Sequence, residues 1–190
     1  MKLIATRHAE TNYNVQDLVN YDPTADVHLT EKGIRQAEEL AEQLKEFEFD
    51  KIYISRLGRT KQTAEIINQY HKLPLTANEL LDDTRNGFEG RPYSEAKSWR
   101  DAQPDPIAAR YQNKYESVAD MTRRVQKFVE YIKVNHEDNE TILVVTSSHI
   151  IKQLRMLNGE FTIQDILKKS PAAHATYYVF NIKREKNEIH

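Results

Sequence analysis

The stretch KLIATRHAETNYN, residues 2–14, carries the signal on which the fold turns. Leu3-Ile4-Ala5 is a short apolar run that reads as the start of a buried strand. It ends at Arg7 and His8, then breaks into Glu10, Thr11, Asn12 and Asn14. The same order recurs twice. Lys51–Ile54 leads into ISRLGRTKQTAE (54–65), and Thr141–Val145 leads into VVTSSHIIKQL (144–154). The aliphatic run Ile142–Val145 lacks polar alternation, as expected of a strand covered on both faces.

Between these segments lie two helical patterns. Ile34, Ala37, Leu40, Ala41, Leu44 and Phe47 recur at three- and four-residue spacings, with Thr30 as N-cap and Glu31 suiting the positive end of the dipole. Val118, Met121, Val125, Phe128, Val129 and Ile132 mark a second helix starting near Ser117. A fourth strand is expected over Tyr177–Ile182. Strands alternating with helices predict an α/β domain, a three-layer α/β/α sandwich around a mainly parallel sheet. One domain is expected over residues 1–190. A lid-like insertion is expected over 90–116, where Pro92, Pro104 and Pro106 interrupt Trp99, Tyr111 and Tyr115.

Composition narrows the function. Twenty-seven basic against 29 acidic residues give a formal charge of −2, so no general attraction to nucleic acid or membrane is expected. The absence of cysteine excludes disulfides, thiolate nucleophiles and cysteine-ligated metals. The apolar run before Arg7 is too short for a signal peptide, and no run approaches the ~20 residues of a membrane span. A cytoplasmic protein is expected.

In open α/β sheets, ligands bind beyond the carboxyl ends of the strands. If the three strands are neighbours, Arg7, His8, Arg59 and His149 converge there. Such a cationic cluster is stable around an anion, and arginine's planar fork suits phosphate oxygens. A neutral imidazole beside that anion can attack phosphorus and carry the phosphoryl group, with the cations stabilising the equatorial oxygens. No metal or cofactor is then required. Thr11 and Asn14 hydrogen-bond phosphate oxygens in this reading, or fix the loop.

These residues resemble the histidine phosphatase superfamily, in its phosphoglycerate mutase-like branch. RHAETNYN is similar to its Arg-His-Gly opening motif, with Ala9 for the glycine. DVHLTEKGIRQAEELAEQL resembles its Leu-Thr-Glu-x-Gly helix start, and IYISRLGRTKQTAEII its Ser-Pro-Leu-x-Arg-Thr-x-Gln-Thr-Ala motif, with Arg56 for the proline. NGFEG resembles Gly-x-Trp-Glu-Gly, and VVTSSHIIKQL the second-histidine motif.

The resemblance implies that His8 is the phosphoryl-accepting nucleophile. Arg7, Arg59 and His149 would form the phosphate pocket, lined by Asn14 and Thr11. The family's proton donor is a Glu six residues before the aromatic, which falls here on Asp82; Asp83 and Glu89 are the substitutes. Ile150 and Ile151 stand where glycines usually follow the second histidine, and are expected to crowd a turn. Arg56 would add a cation near the pocket or face water.

His28, His71, His136 and His190 read as solvated. His174 reads as a loop position in preference to a contact at the pocket rim. The aromatics between Tyr93 and Tyr115 read as core before substrate contacts, and KREKNE (183–188) as a solvated tail.

The implied activity is hydrolysis of a small phosphorylated metabolite through phosphohistidine. Phosphoglycerate mutase-type transfer and a non-catalytic phosphate-binding scaffold are the alternatives. The modest insertion favours hydrolysis over mutase chemistry. Nucleic-acid binding through SRLGRTK lacks an extended basic face.

Overall fold

The computed structural model describes residues 1–183 of the chain. Five strands form one sheet: β1 (Lys2–Arg7), β2 (Lys51–Ile54), β3 (Leu75–Ala77), β4 (Thr141–Thr146) and β5 (Tyr177–Asn181), in the order β3-β2-β4-β1-β5. All pairings are parallel except β1–β5. The helices are α1 (Asn12–Val15), α2 (Glu31–Leu44), α3 (Gly58–Ile67), α4 (Tyr93–Asp101), α5 (Val118–Asn135) and α6 (Ser148–Leu157).

Strand alternation sends successive side chains to opposite faces. Leu3, Ala5, Ile142 and Val144 pack with Val125, Phe128 and Ile132 of α5 and Leu154 of α6. Ile4, Leu143 and Val145 pack on the other face with Leu40 and Leu44 of α2 and Ala64 and Ile67 of α3. Fully burying such a side chain contributes about 1.5–3 kcal/mol, so two covered faces explain why β4 carries no polar alternation. The fold is the expected three-layer sandwich.

The helix caps follow from sequence. Thr30 Oγ1 accepts the Gly33 N–H at 2.9 Å, and Ser117 Oγ accepts the Asp120 N–H at 3.1 Å. Gly33 has a further role: a Cβ there would lie 2.0 Å from the Glu10 carbonyl oxygen. The first turn of α2 therefore docks directly on the loop that follows β1. Glu10 accepts the Thr30 hydroxyl at 3.0 Å and pairs with Lys32 at 2.7 Å.

Ile150 and Ile151 crowd no turn. They lie inside α6, fully buried against the α5 side of the sheet. Residues 90–116 contain α4 and a 3₁₀ turn at Tyr111–Asn113. Val19, Phe88 and Ala96 form a separate apolar cluster there, with Tyr93, Trp99 and Tyr111 against it. Gly87, at φ +86°, passes under the Tyr111 and Tyr115 rings, where a Cβ would lie 2.6–2.7 Å from ring carbons.

Two histidines read as solvated are not. His136 sits between Tyr53 Oη (2.8 Å) and Glu140 (2.6 Å), and His71 packs edge-on against Phe49. His28 is exposed beside Asp26. His190 and all of the KREKNE segment except Lys183 lie outside the described residues. No helix among the described residues is long and apolar enough to cross a membrane.

Candidate active site

α2, which follows β1 and the short α1, lies on one face of the sheet and α6, which follows β4, on the other, although β1 and β4 are neighbours. The connections part at their carboxyl ends, which opens a crevice. A cavity of about 480 Å³ lies there, and Arg7, His8, Thr11, Asn14, Arg59 and His149 all line it. Asp82 does not; its neighbour Asp83 does.

His8 is almost fully buried. Its Nδ1 lies 2.8 Å from the Ala9 carbonyl oxygen. A carbonyl only accepts, so Nδ1 carries the hydrogen and Nε2 keeps its lone pair. Burial, then the Arg59 and Arg7 charges, hold the His8 pKa well below the ordinary histidine value. The ring is therefore neutral at physiological pH.

The loop holding His8 is fastened by the α3 motif. Thr63 Oγ1 accepts the Ala9 N–H at 3.1 Å and donates to the Arg59 carbonyl at 2.8 Å. Gln62 accepts the Leu29 N–H at 2.8 Å. Threonine and glutamine in this motif thus tie α3 to the loops after β1 and before α2.

Arg59 is buried, and burial lowers its pKa against the opposing pull of Asp83. Its guanidinium donates to the Asn20 side-chain oxygen and, at 3.0 Å, to Asp83 Oδ2. Asn20 in turn donates to Glu89 at 2.9 Å. Glu89 also accepts the backbone N–H groups of Tyr21 and Asp22 at 2.5 and 2.9 Å, so it braces the 20–22 loop outside the cavity wall.

Arg7 donates to the Ala172 carbonyl at 2.6 Å, while its buried Nε has no partner among the described residues. Burial brings the Arg7 pKa down to about 10, which leaves it charged at neutral pH. Thr11 caps α1: its hydroxyl accepts the Asn14 N–H at 3.1 Å and donates to Asn14 Oδ1 at 3.0 Å. That exchange commits the Thr11 hydroxyl to the loop and leaves the Asn14 Nδ2 without a partner among the described residues.

Asp83 Oδ1 accepts from His149 Nδ1 at 2.9 Å. Burial opposes the charge on Asp83. The His149 charge and hydrogen bond, Arg59 and the Thr84 N–H outweigh it and keep the pKa far below the usual carboxylate range.

Asp82 is held elsewhere. Arg56 reaches it through its backbone N–H at 2.9 Å and through its guanidinium at 2.8 and 2.6 Å. Arg56 also approaches Glu79 at 3.4 Å. The count of six residues from the aromatic thus lands one position short of the carboxylate that faces the cavity.

Among the cavity residues, Asn20 and Lys152 were not singled out from sequence, and His174 was placed in a loop in preference to the pocket rim. Asn20 had no motif to mark it. His174, 5.8 Å from His8 between ring centroids, lines the cavity, and burial pushes its pKa down to about 4. Its signal was the small-residue PAAHAT segment leading into β5. Lys152 lines the cavity three residues after His149, a helical spacing that places both on one face.

A cationic crevice around one neutral, buried imidazole, at the carboxyl edge of a doubly covered sheet, defines an α/β protein with an anion-receptive pocket. The sequence pattern of the histidine phosphatase superfamily (branch 1) matches residues 3–190. The chain belongs to that superfamily.

Its relatives include the uncharacterized phosphatase PhoE of Bacillus subtilis (strain 168), 31% identical over 80% of this chain and 75% of PhoE. Phosphoserine phosphatase 1 of Hydrogenobacter thermophilus is 29% identical over 100% of this chain and 90% of its own. Among solved structures, Bacillus stearothermophilus YhfR superposes with a TM-score of 0.81 at 27% identity, covering 94% of this chain and 89% of YhfR.

Proposed function

We propose that the protein is a metal-independent phosphomonoesterase that hydrolyses a small phosphorylated metabolite through a phosphohistidine on His8. One observation carries the reading. The Ala9 carbonyl fixes the hydrogen on His8 Nδ1, which leaves an Nε2 lone pair in a cavity that also holds Arg7 and Arg59. Relatives named as phosphatases support it.

In the first step Nε2 attacks phosphorus and the bond to the leaving oxygen breaks. Asp83, in its acid form, gives that oxygen a proton, so an alcohol departs. In the second step the Asp83 carboxylate takes a proton from water as the water oxygen attacks phosphorus. The N–P bond breaks, its electron pair returns to Nε2, and phosphate leaves. Arg7, Arg59, His149 and the Asn14 amide hold the phosphoryl oxygens throughout.

The lowered pKa of Asp83 is compatible with this scheme. His149 and Arg59 sustain its charge. A bound phosphate dianion claims those same donors and repels the carboxylate. Two unit charges about 5 Å apart at an effective dielectric of about 20 interact by about 3 kcal/mol, on the order of two pKa units per charge. Substrate binding therefore raises the Asp83 pKa toward the range of a proton donor.

The test is hydrolysis of p-nitrophenyl phosphate in the presence of a chelator, with acid-labile phosphate trapped on the protein by rapid quench. Turnover with a trapped adduct is expected, and His8→Ala abolishes both. Persistent activity in His8→Ala, or complete loss to the chelator, would overturn the reading. Isomerisation of 3-phosphoglycerate dependent on 2,3-bisphosphoglycerate would assign the chain to phosphoryl transfer instead.

A further inference from the structure

The cavity wall carries further cations that the scheme above leaves unused, Lys152 among them. Lys152 lines it, partly buried, and its ammonium makes no hydrogen bond or ion pair among the described residues. Of the other basic side chains nearby, Lys169 lies over the Phe161 ring, 5.4 Å from its centroid, and three more are ion-paired. Arg100 and Lys97 both bind Asp101, at 2.8 and 2.7 Å, and Arg155 binds Glu160 at 2.8 Å while lying over the Tyr178 ring. Of the cavity's carboxylates, Asp83 and Glu116 are taken by Arg59 and Arg124, and the exposed Asp17 forms no ion pair with Lys152 among the described residues. Burial lowers the Lys152 pKa, and Arg100 and Arg155 add repulsion. An unpaired, partly desolvated ammonium facing other cations is costly unless an anion arrives.

Its position says where that anion would sit. Three residues along a helix advance about 4.5 Å, and helical side chains lean back toward the N-terminus. Lys152 thus overhangs the turn that carries His149. From the opposite side α4 closes the space: the Tyr93 ring lies 6.2 Å from the His149 ring, and Trp99 and Arg100 follow on the same cavity wall. The phosphate pocket and Lys152 are two positive ends of one cavity.

We infer that the substrate carries a second anionic group, a carboxylate or another phosphate, on its leaving alcohol, and that Lys152 with Arg100 binds it. This rests on the phosphomonoesterase reading for the reactive end alone. Lys152 discriminates among substrates and takes no part in the proton transfers.

The test uses non-hydrolysable ligands, so that it does not depend on turnover. Calorimetry compares phosphonoacetate, 3-phosphonopropanoate and 4-phosphonobutanoate with alkylphosphonates of equal length, and propane-1,3-bisphosphonate serves as the second-phosphate arm. At least one doubly anionic ligand is expected to bind tenfold or more tightly than its singly anionic match. Preference for the carboxylate or the bisphosphonate arm identifies the group. Lys152→Met should reduce that ratio to within about twofold, and Lys152→Arg should retain it, with melting temperatures confirming that both variants fold. Equal affinities across all matched pairs, or a preference that survives Lys152→Met, would overturn the inference. Hydrolysis of p-nitrophenyl phosphate by the same preparations reports separately on the catalytic reading.

Discussion

Exchanging Asp83 for asparagine removes a charge and a proton but little volume. Asp83 lies 2.9 Å from His149 and 3.0 Å from Arg59, whereas Asp82 is bound by Arg56 away from the cavity. If Asp83 protonates the leaving oxygen, its loss removes a contribution of about 10²–10⁴-fold on an alkyl phosphate. The p-nitrophenolate ion departs without a proton, so the same variant should lose less than about tenfold on p-nitrophenyl phosphate. Removing the carboxylate also frees Arg59 and His149 for the ligand. At about 5 Å and an effective dielectric of about 20, each unit of repulsion relieved is worth up to about 3 kcal/mol. Inorganic phosphate should therefore inhibit Asp83→Asn at lower concentration than it inhibits the parent protein. Asp82→Asn should leave the ratio of the two substrates unchanged and lower the melting temperature, since it weakens the Arg56 pair. The assay is steady-state kinetics on both esters, with phosphate inhibition, for the three proteins. A leaving-group signature in Asp82→Asn and none in Asp83→Asn would refute the assignment.

Three further outcomes follow from the packing and the charges. Gly33→Ala places a methyl 2.0 Å from the Glu10 carbonyl oxygen; the first turn of α2 must move, with a loss of about 2 kcal/mol or more in chemical denaturation. Stability should fall on acidification below about pH 6.5. His8 and His174 both have lowered pKa values, so the unfolded chain binds protons there that the folded chain does not. The slope reaches at most about 1.4 kcal/mol per pH unit per histidine, and the share of the partly exposed His174 is smaller and ends near its pKa of about 4. Denaturation midpoints that stay flat from pH 6.5 to 4.5 would contradict a buried neutral His8. Arg56→Pro should destabilise the chain by about 2 kcal/mol, because proline lacks the N–H that reaches Asp82 at 2.9 Å. In an Asp82→Ala background most of that loss should vanish, and additive losses in the double variant would break the link.

The coupling between Arg56 and Asp82 explains what sequence could and could not disclose. The apolar runs ending in Arg7, Ile54 and Thr146 were readable as strands because both faces of the sheet are covered, so consecutive side chains are buried and few are polar. The convergence of His8, Arg59 and His149 followed from the same strands, since neighbouring carboxyl ends must share a crevice. β3 and α1 are too short to impose a period and had no such signal. Asp82 stands outside the cavity for another reason. A count along a loop assumes a fixed path, and Asp82 leaves the 3₁₀ turn Glu79–Leu81 in extended geometry, at φ −63° and ψ 154°. Successive side chains of extended backbone point to opposite sides, so a miscount of one residue exchanges the cavity for the buried pair with Arg56. Two departures from the family pattern, arginine for proline at 56 and aspartate for glutamate at 82, looked independent in sequence. In the fold they are one interaction: the side chain and backbone of residue 56 capture the shorter carboxylate, and Asp83 is left to face the cavity. A contact between distant loop positions is legible only when the loops are seen to touch, which is why the chain named the pocket's cations singly but left Asp82, Asp83 and Glu89 as alternatives for the carboxylate that faces them.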